Sequence, residues 1–483
     1  MSNDRLVAFS SKFAFGIGQF AEGLKNTGFN LFILFYYNQV LGLPGTLAGA
    51  ALFIALMFDA VTDPLAGSLS DNFKSKLGRR HPFMYASAIP LGLAFVGLFS
   101  PPSELSQFEL FLWLTAFAVL TRGFMTLYHV PHLALGAELT EHHQERTRIV
   151  AFRQFFGTFG GLSAAAIGLG YFFSDKHGGR LAVEHYTPYA LTLAVLMVIT
   201  IWYSAFGTRK EIPYLPAPTQ HREGNMLTRF AREILDALEN SSFRWLFLGV
   251  LIVFVMAGVN VSLDLYMMQY FWELTGKQML AMTVASVFGL MIGAFFTSLL
   301  HRHTSKRFGL QLGTASWAIF QVVPVVLRLL DWFPANGTVL LVGTLVSVKF
   351  LQGFLLQQAF ISFGSMMADV ADEHEYSHGG RHEGIFFGAI SLSGKATSGF
   401  GSFIGGIGLD VISWPRGPSI KTAADIPHET LVHLGLLYGP VVAAFAVISI
   451  WCYTHYKLTP ERHAQILELL RARRAAADTG PGG

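Results

Sequence analysis

Apolar runs long enough to span a bilayer recur along almost the whole of this chain, and that recurrence constrains the fold more than any single motif. A helix needs about 20 apolar residues to cross roughly 30 Å of hydrocarbon, and only helices and closed barrels satisfy their backbone polar groups in lipid. Such runs are read at 12–40, 46–72, 82–100, 109–139, 149–173 and 187–206, and again at 243–275, 279–301, 308–332, 338–369, 383–410 and 428–455. Composition agrees, with 52% hydrophobic and 13% charged residues and a mean hydropathy of +0.45; soluble domains carry roughly 25% charged residues. The prediction is an all-α integral membrane protein of twelve transmembrane helices with no sizeable soluble domain. A net charge of +3, confined to particular loops, gives no footprint for nucleic acid. The single cysteine, Cys452, excludes an internal disulfide. The polar N-terminus lacks the apolar core and cleavage site of a signal peptide, so none is expected.

The spans fall into two sets of six: an N-terminal bundle at 1–206, a polar linker at 207–242, a C-terminal bundle at 243–455 and a basic tail at 456–483. The linker carries Pro213, Pro216 and Pro218, then an amphipathic piece at 226–238 expected to lie along the membrane surface. Lys and Arg crowd alternate loops: Lys74, Lys76, Arg79 and Arg80 after the second span, Arg146 and Arg148 after the fourth, and Arg302, Lys306 and Arg307 after the eighth. The loops after the first and third spans have none. Cytoplasmic loops attract such charge, so both termini and the linker are predicted to be cytoplasmic, in a plasma (inner) membrane. Gly67-Ser-Leu-Ser-Asp-Asn72 leading to Gly78-Arg-Arg80 has a weaker echo in His301-Arg-His-Thr-Ser-Lys-Arg-Phe-Gly309. Two pseudo-symmetric six-helix halves with matching basic loops are the pattern of the major facilitator fold, whose substrate site lies between the halves near the midplane.

Within the second span, Asp59 and Asp63 stand four residues apart, so a helix places them on one face about a turn from each other. An ionised group at the middle of a membrane costs several kcal/mol unless compensated, and two on one face call for a cation. The structural alternative is that Asp63-Pro64 ends a short helix. Lys395, in Ile390-Ser-Leu-Ser-Gly-Lys-Ala-Thr-Ser398, is a lone mid-span cation among small residues and needs an anionic partner, with Asp59 or Asp63 the natural choice.

Asp59-Ala-Val-Thr-Asp-Pro64 followed by Gly78-Arg-Arg-His-Pro-Phe83 resembles the glycoside–pentoside–hexuronide:cation symporters, typified by the bacterial melibiose permease. Phe15-Gly-Ile-Gly18, Val130-Pro131, Met366-Met-Ala-Asp369 and the stretch from Gly384 to Lys395 extend the resemblance through both halves. It implies that Asp59, Asp63 and a helix-4 threonine, Thr126, bind the coupling ion, with Na⁺ at Asp59 and Asp63. Carboxylates and a hydroxyl suit a hard cation and are too few to cage a divalent one tightly. Na⁺, H⁺ or Li⁺ all fit, since burial raises a carboxyl pKa, and no other cofactor is implied. The resemblance also implies that Lys395 pairs across the halves with the aspartates and couples ion to substrate; a static ion pair is the alternative.

The sugar-binding acids of the melibiose permease align with Gly23 and His129, so its galactoside mode is not kept. Glu22, Lys25 and Asn26 keep the first helix polar, and Arg153 falls in the family's helix-5 arginine region. His129-Val-Pro131 is similar to the animal Na⁺-dependent lysolipid symporters of the same family; alternatively His129 makes only an interhelical hydrogen bond beside the Pro131 kink. In the second half, Asn260 and Asp264 share a face, while Tyr270 and Trp272 offer rings for a sugar or an apolar chain. Asp71, Arg79, Arg80, Asp369, Asp372 and Arg381 are read as a cytoplasmic gate, the acids of helices 10 and 11 pairing with the arginines of the second loop. His374, His378 and His382 match no metal site. The expectation is a monomeric secondary transporter that binds a small molecule and is embedded in the lipid bilayer. Its solute is a glycoside or sugar, or else a lysolipid or other amphiphile. A passive channel or scramblase would not need the paired carboxylates. An enzyme is disfavoured, since neither His-Glu-x-x-His nor Gly-x-Ser-x-Gly occurs.

Overall fold

The computed structural model describes residues 6–140, 142–215, 238–378 and 383–478. Among these residues there is helix and no strand. In chain order, α1 is Phe9–Thr27, α2 Gly45–Asn72, α3 His81–Leu98, α4 Gln107–Glu138, α5 His143–Ile167 and α6 Tyr186–Thr208. The second half supplies α7 Ser241–Tyr266, α8 Gly276–His303, α9 Lys306–Leu329, α10 Val339–His378, α11 Glu383–Val411 and α12, His428–Leu436, which continues as Val442–Thr454. A last helix, α13, is Pro460–Asp478.

Ten of these helices are long and apolar enough to cross a membrane. The two other spans expected from sequence are also helical. Lys12, Gln19, Glu22, Lys25 and Asn26 make α1 too polar to be among the ten, and α11 contributes the apolar stretch Gly399–Val411 among its described residues. Between Asp59 and Asp63 there is no break: α2 runs for 28 residues straight through Pro64, which sets aside the reading of Asp63-Pro64 as a helix end. The amphipathic piece at 226–238 lies almost wholly outside the described residues.

Contacts divide the chain into two compact units. The first combines Met1–Gly224 with Val261–Thr283 and Ser398–Leu434; the second combines Asn225–Asn260, Val284–Thr397 and Gly435–Gly483. In the first unit, glycines set the closest helix approaches. A side chain at Gly23 would run into the backbone of Gly157 and Gly161 on α5, and one at Gly45 into that of Gly406 on α11. Small residues at such crossings let backbones touch, which is how helices associate in lipid.

The distal end of this unit, remote from the N-terminus, joins pieces of both sequence halves. Asp410 at the end of α11 accepts the Gly45 and Thr46 N–H groups at 3.0 and 2.7 Å and so caps the first turn of α2. Trp414 Nε1 donates to Gln39 at 2.7 Å, Tyr266 Oη to Asn38 at 2.8 Å, and Arg180 Nε to Gln269 at 2.5 Å. Two matching caps close α1 and α7. The helix begun by α1 continues through Gly28–Phe32 and Ile33–Phe35, and it and α7 each end in a π-helical turn, Tyr36–Val40 and Met267–Phe271. In one, Leu41 N–H reaches Tyr36 and Leu43 N–H reaches Tyr37; in the other, Trp272 reaches Met267 and Leu274 reaches Met268. The same hydrogen-bond offsets in corresponding helices give the two halves a structural echo clearer than their loop sequences.

In the second unit, Phe243, Leu246 and Phe247 of α7 pack with Phe363, Met366 and Val370 of α10 and with Tyr453. The stretch read as a basic tail supplies α13, whose Ile466 and Leu470 are buried in this core.

Candidate functional site

α2 and α4 run in the same direction and lie in one constant register. Arg122 Nη1 donates to Asp59 Oδ2 at 2.6 Å, and one turn further along both helices Thr126 Oγ1 donates to Asp63 Oδ1 at 2.9 Å. The register continues to Gly67, which faces Val130. Thr126 is thus brought to Asp63 as expected, and the aspartates share a face. Asp59, Arg122 and Thr126 are all buried. The other Asp59 oxygen, Oδ1, is buried with no hydrogen-bond partner. That oxygen, Asp63 and the Thr126 hydroxyl are hard donors of the kind a small monovalent cation takes, so the residues fit such an ion.

Arg122 is the residue that the sequence reading missed. Its guanidinium bonds the Asp59 carboxylate and also lies over the face of Phe29, whose centroid is 4.9 Å away. The signal was present: an arginine midway along an apolar span, four residues before Thr126, is on the same helix face and demands a partner. Lys395, the partner expected for Asp59 or Asp63, is half-buried and belongs to the second unit; within the first unit the cation beside Asp59 is Arg122.

A second polar cluster joins α1 and α4. His129 continues the Arg122–Thr126 stripe and lies 3.1 Å from Glu22 Oε2, with Gln19 Nε2 at 3.5 Å. Glu22, next to Gly23, therefore supplies an acid from helix 1 to the helix-4 histidine. Arg153 of α5 is within electrostatic reach of Glu22. Lys25 is buried and donates to Asn26 at 2.8 Å. The second histidine of the motif, His132, stacks on Phe15 and contacts its carbonyl at 2.9 Å, a packing role.

Tyr270 and Trp272 are buried rather than set out as platforms: Tyr270 packs against Phe35 and Trp414, and Trp272 against Phe271. Both lie at the π-helical turn Met267–Phe271 that follows α7, Tyr270 within it and Trp272 just after it. Asp264 itself is half-buried on α7.

The described gate residues have partners within their own units. Arg80 bonds Asp71, Ser70 (2.6 Å) and Glu138 (2.7 Å), and Arg79 bonds Glu138 at 2.8 Å. Glu138, which closes α4, was missed by the sequence reading. Gly78, at φ +72°, makes the left-handed turn that presents the two arginines. Asp369 is held by Lys306 at 2.7 Å and Asp372 by His463 of α13 at 3.0 Å. The second-loop arginines and the helix-10 acids thus each find partners in their own unit. Arg381 lies outside the described residues.

The apolar helices mark a membrane protein, and the family match makes it a transporter of the major facilitator type rather than an enzyme. A family model described as MFS/sugar transport protein matches residues 14–460, and the chain belongs to that family, among the glycoside–pentoside–hexuronide:cation symporters. The isoprimeverose transporter of Lactiplantibacillus pentosus is 23% identical over 480 residues, covering 98% of this chain and 94% of that protein. The inner membrane symporter YicJ of Escherichia coli (strain K12) is 22% identical over 474 residues, covering 96% and 95%. The sphingosine-1-phosphate transporter MFSD2B of Mus musculus is 23% identical over 464 residues, covering 92% and 89%. Among solved structures, the inward open xylose transporter XylE from E. coli shares the fold, with a TM-score of 0.61 at 14% identity over 96% of this chain and 99% of that one.

Proposed function

We propose that this symporter couples inward movement of a small organic solute, a glycoside or other sugar, to Na⁺ or H⁺ by alternating access. Asp59, Asp63 and Thr126 hold the ion. The observation that supports this most is the common register of α2 and α4, which concentrates two carboxylates and a hydroxyl at one level of a membrane span. The solute's hydroxyls are read by the Glu22–His129 pair with Arg153, Lys25 and Asn26, and Asp264 and Lys395 complete the site from the second half. A His–carboxylate pair offers both a donor and an acceptor to a hydroxyl. Ion and solute must raise each other's affinity by the same factor. The bundles at 1–206 and 243–455 are the rocking bodies, and both termini face the cytoplasm of an inner membrane. In proteoliposomes with an imposed Na⁺ or pH gradient, Asp59→Asn is expected to abolish accumulation; concentrative uptake by that variant would overturn the site.

A second reading, an amphiphile such as a lysolipid, draws on one feature. An apolar groove of about 650 Å³ runs between α2 and α4 beside Thr126, lined by Phe58, Leu65, Leu69, Leu120 and Phe124. It is likewise consistent with the relative that carries sphingosine-1-phosphate. Binding in nanodiscs across glycosides, uronides and lysolipids separates the two: Na⁺-enhanced binding of sugar alone supports the first, and of lysolipid alone the second.

A further inference from the structure

Two carboxylates and one guanidinium share the α2–α4 level, and the guanidinium is already on Asp59. An inorganic cation entering between Asp59, Asp63 and Thr126 meets that positive charge a few ångströms away, in surroundings of low dielectric where like charges repel strongly. The side chain of Arg122 is 5% and that of Asp59 7% exposed, so water does little to screen the encounter. The two cations therefore compete for the same oxygen cluster. The geometry also gives the guanidinium somewhere to remain when the carboxylate turns away, since its Cζ lies over the Phe29 ring, 4.9 Å from the centroid, and an aromatic face stabilises a cation.

We propose that Arg122 is a tethered competitor of the coupling ion. It neutralises Asp59 in the ion-free carrier, yields that carboxylate when the ion binds, and so sets how tightly the ion is held. This rests on the reading of Asp59, Asp63 and Thr126 as the ion site. One consequence is that the ion-free carrier does not carry two bare carboxylates inside the membrane. Another is that ion binding must alter the contact between α2 and α4 at the Asp59–Arg122 rung, while the Asp63–Thr126 rung takes part in both states.

The test uses the full chain in nanodiscs, titrated with NaCl against choline chloride at constant ionic strength and followed by tryptophan fluorescence and thermal midpoint. Arg122→Gln is expected to bind Na⁺ at least about tenfold more tightly than wild type, and to gain a Na⁺-dependent midpoint. Arg122→Lys, which keeps the charge, stays near wild type. Na⁺ affinity in Arg122→Gln equal to or weaker than in wild type would overturn the proposal. If Arg122→Gln survives purification only in Na⁺, the double variant Asp59→Asn/Arg122→Gln, lacking both charges, provides the comparison. Stability without Na⁺ and loss of the tight binding support the tether; retained tight binding refutes it. Asp63→Asn in the wild-type background separates the two readings. Ion-driven uptake surviving there removes the ion site itself. Its loss, together with an Arg122→Gln variant that fails to tighten Na⁺, leaves the site standing and the tether refuted.

Discussion

Asp410→Ala should loosen the distal end of the first unit by a calculable amount. The carboxylate caps two N–H groups at the start of α2, with oxygens at 3.0 and 2.7 Å, and Arg416 steadies it at 3.2 Å. Losing a helix cap costs about 1 kcal/mol, and losing a negative charge at a helix N-terminus a further 0.3–1 kcal/mol, roughly. With the side chain 27% exposed, solvent offsets part of this. A total near 1.5 kcal/mol is about tenfold in the equilibrium between joined and parted ends of α2 and α11. The read-out is the thiol-labelling rate of Leu43→Cys in a Cys452→Ser background. Leu43 is fully buried beside this junction, so labelling reports the parted population. A rise of about tenfold is expected, with Asp410→Asn intermediate because it keeps an acceptor oxygen. An unchanged rate in Asp410→Ala would show that the cap does not hold the two helices together, and would refute the reasoning.

Three further substitutions test other parts of the framework. Glu138→Ala strips two nearly buried arginines of their shared partner; breaking such a pair costs about 3–5 kcal/mol when buried, reduced here to about 2–3 because Asp71 still holds Arg80. A marked fall in the thermal midpoint checks it, whereas a midpoint equal to wild type counts against a structural role for Glu138. Gly23→Ala drives a methyl into the Gly157 carbonyl and should cost about 1–3 kcal/mol by overpacking, visible as reduced folded yield. Gly343→Ala, where the methyl meets nothing within 4 Å, should be neutral in the same measurement.

Much of this architecture was legible before any coordinates, because hydrophobic length and charge bias act locally and additively along the chain. The shared face of Asp59 and Asp63 follows from helical spacing alone, and the unbroken passage of α2 through Pro64 preserves it. Partner choice is a different matter. Nothing in spacing says that Asp59 meets Arg122, since that depends on the packing register of α2 against α4. The gate shows the same limit: Arg79 and Arg80 stood out, while Glu138, an ordinary acid at a helix end, acquires its role only where α4 comes beside the second loop. The burial of Tyr270 and Trp272 was not visible either, nor was the wide π-helical turn at Met267–Phe271 beside them, which regular periodicity does not anticipate.

That wide turn has a mechanical consequence. A π-helical turn stores one more residue than an α-helical turn does over the same length, and relaxing it releases about 1.5 Å of chain. α1 and α7 each hold such a reserve at the same end, closed by the same pair of hydrogen bonds. Each can therefore lengthen or retract its final turn by a single step while the rest of the helix keeps its place against its neighbours. The slack sits at the ends of the first helix of each repeat, and the first repeat holds a second such turn at Gly28–Phe32.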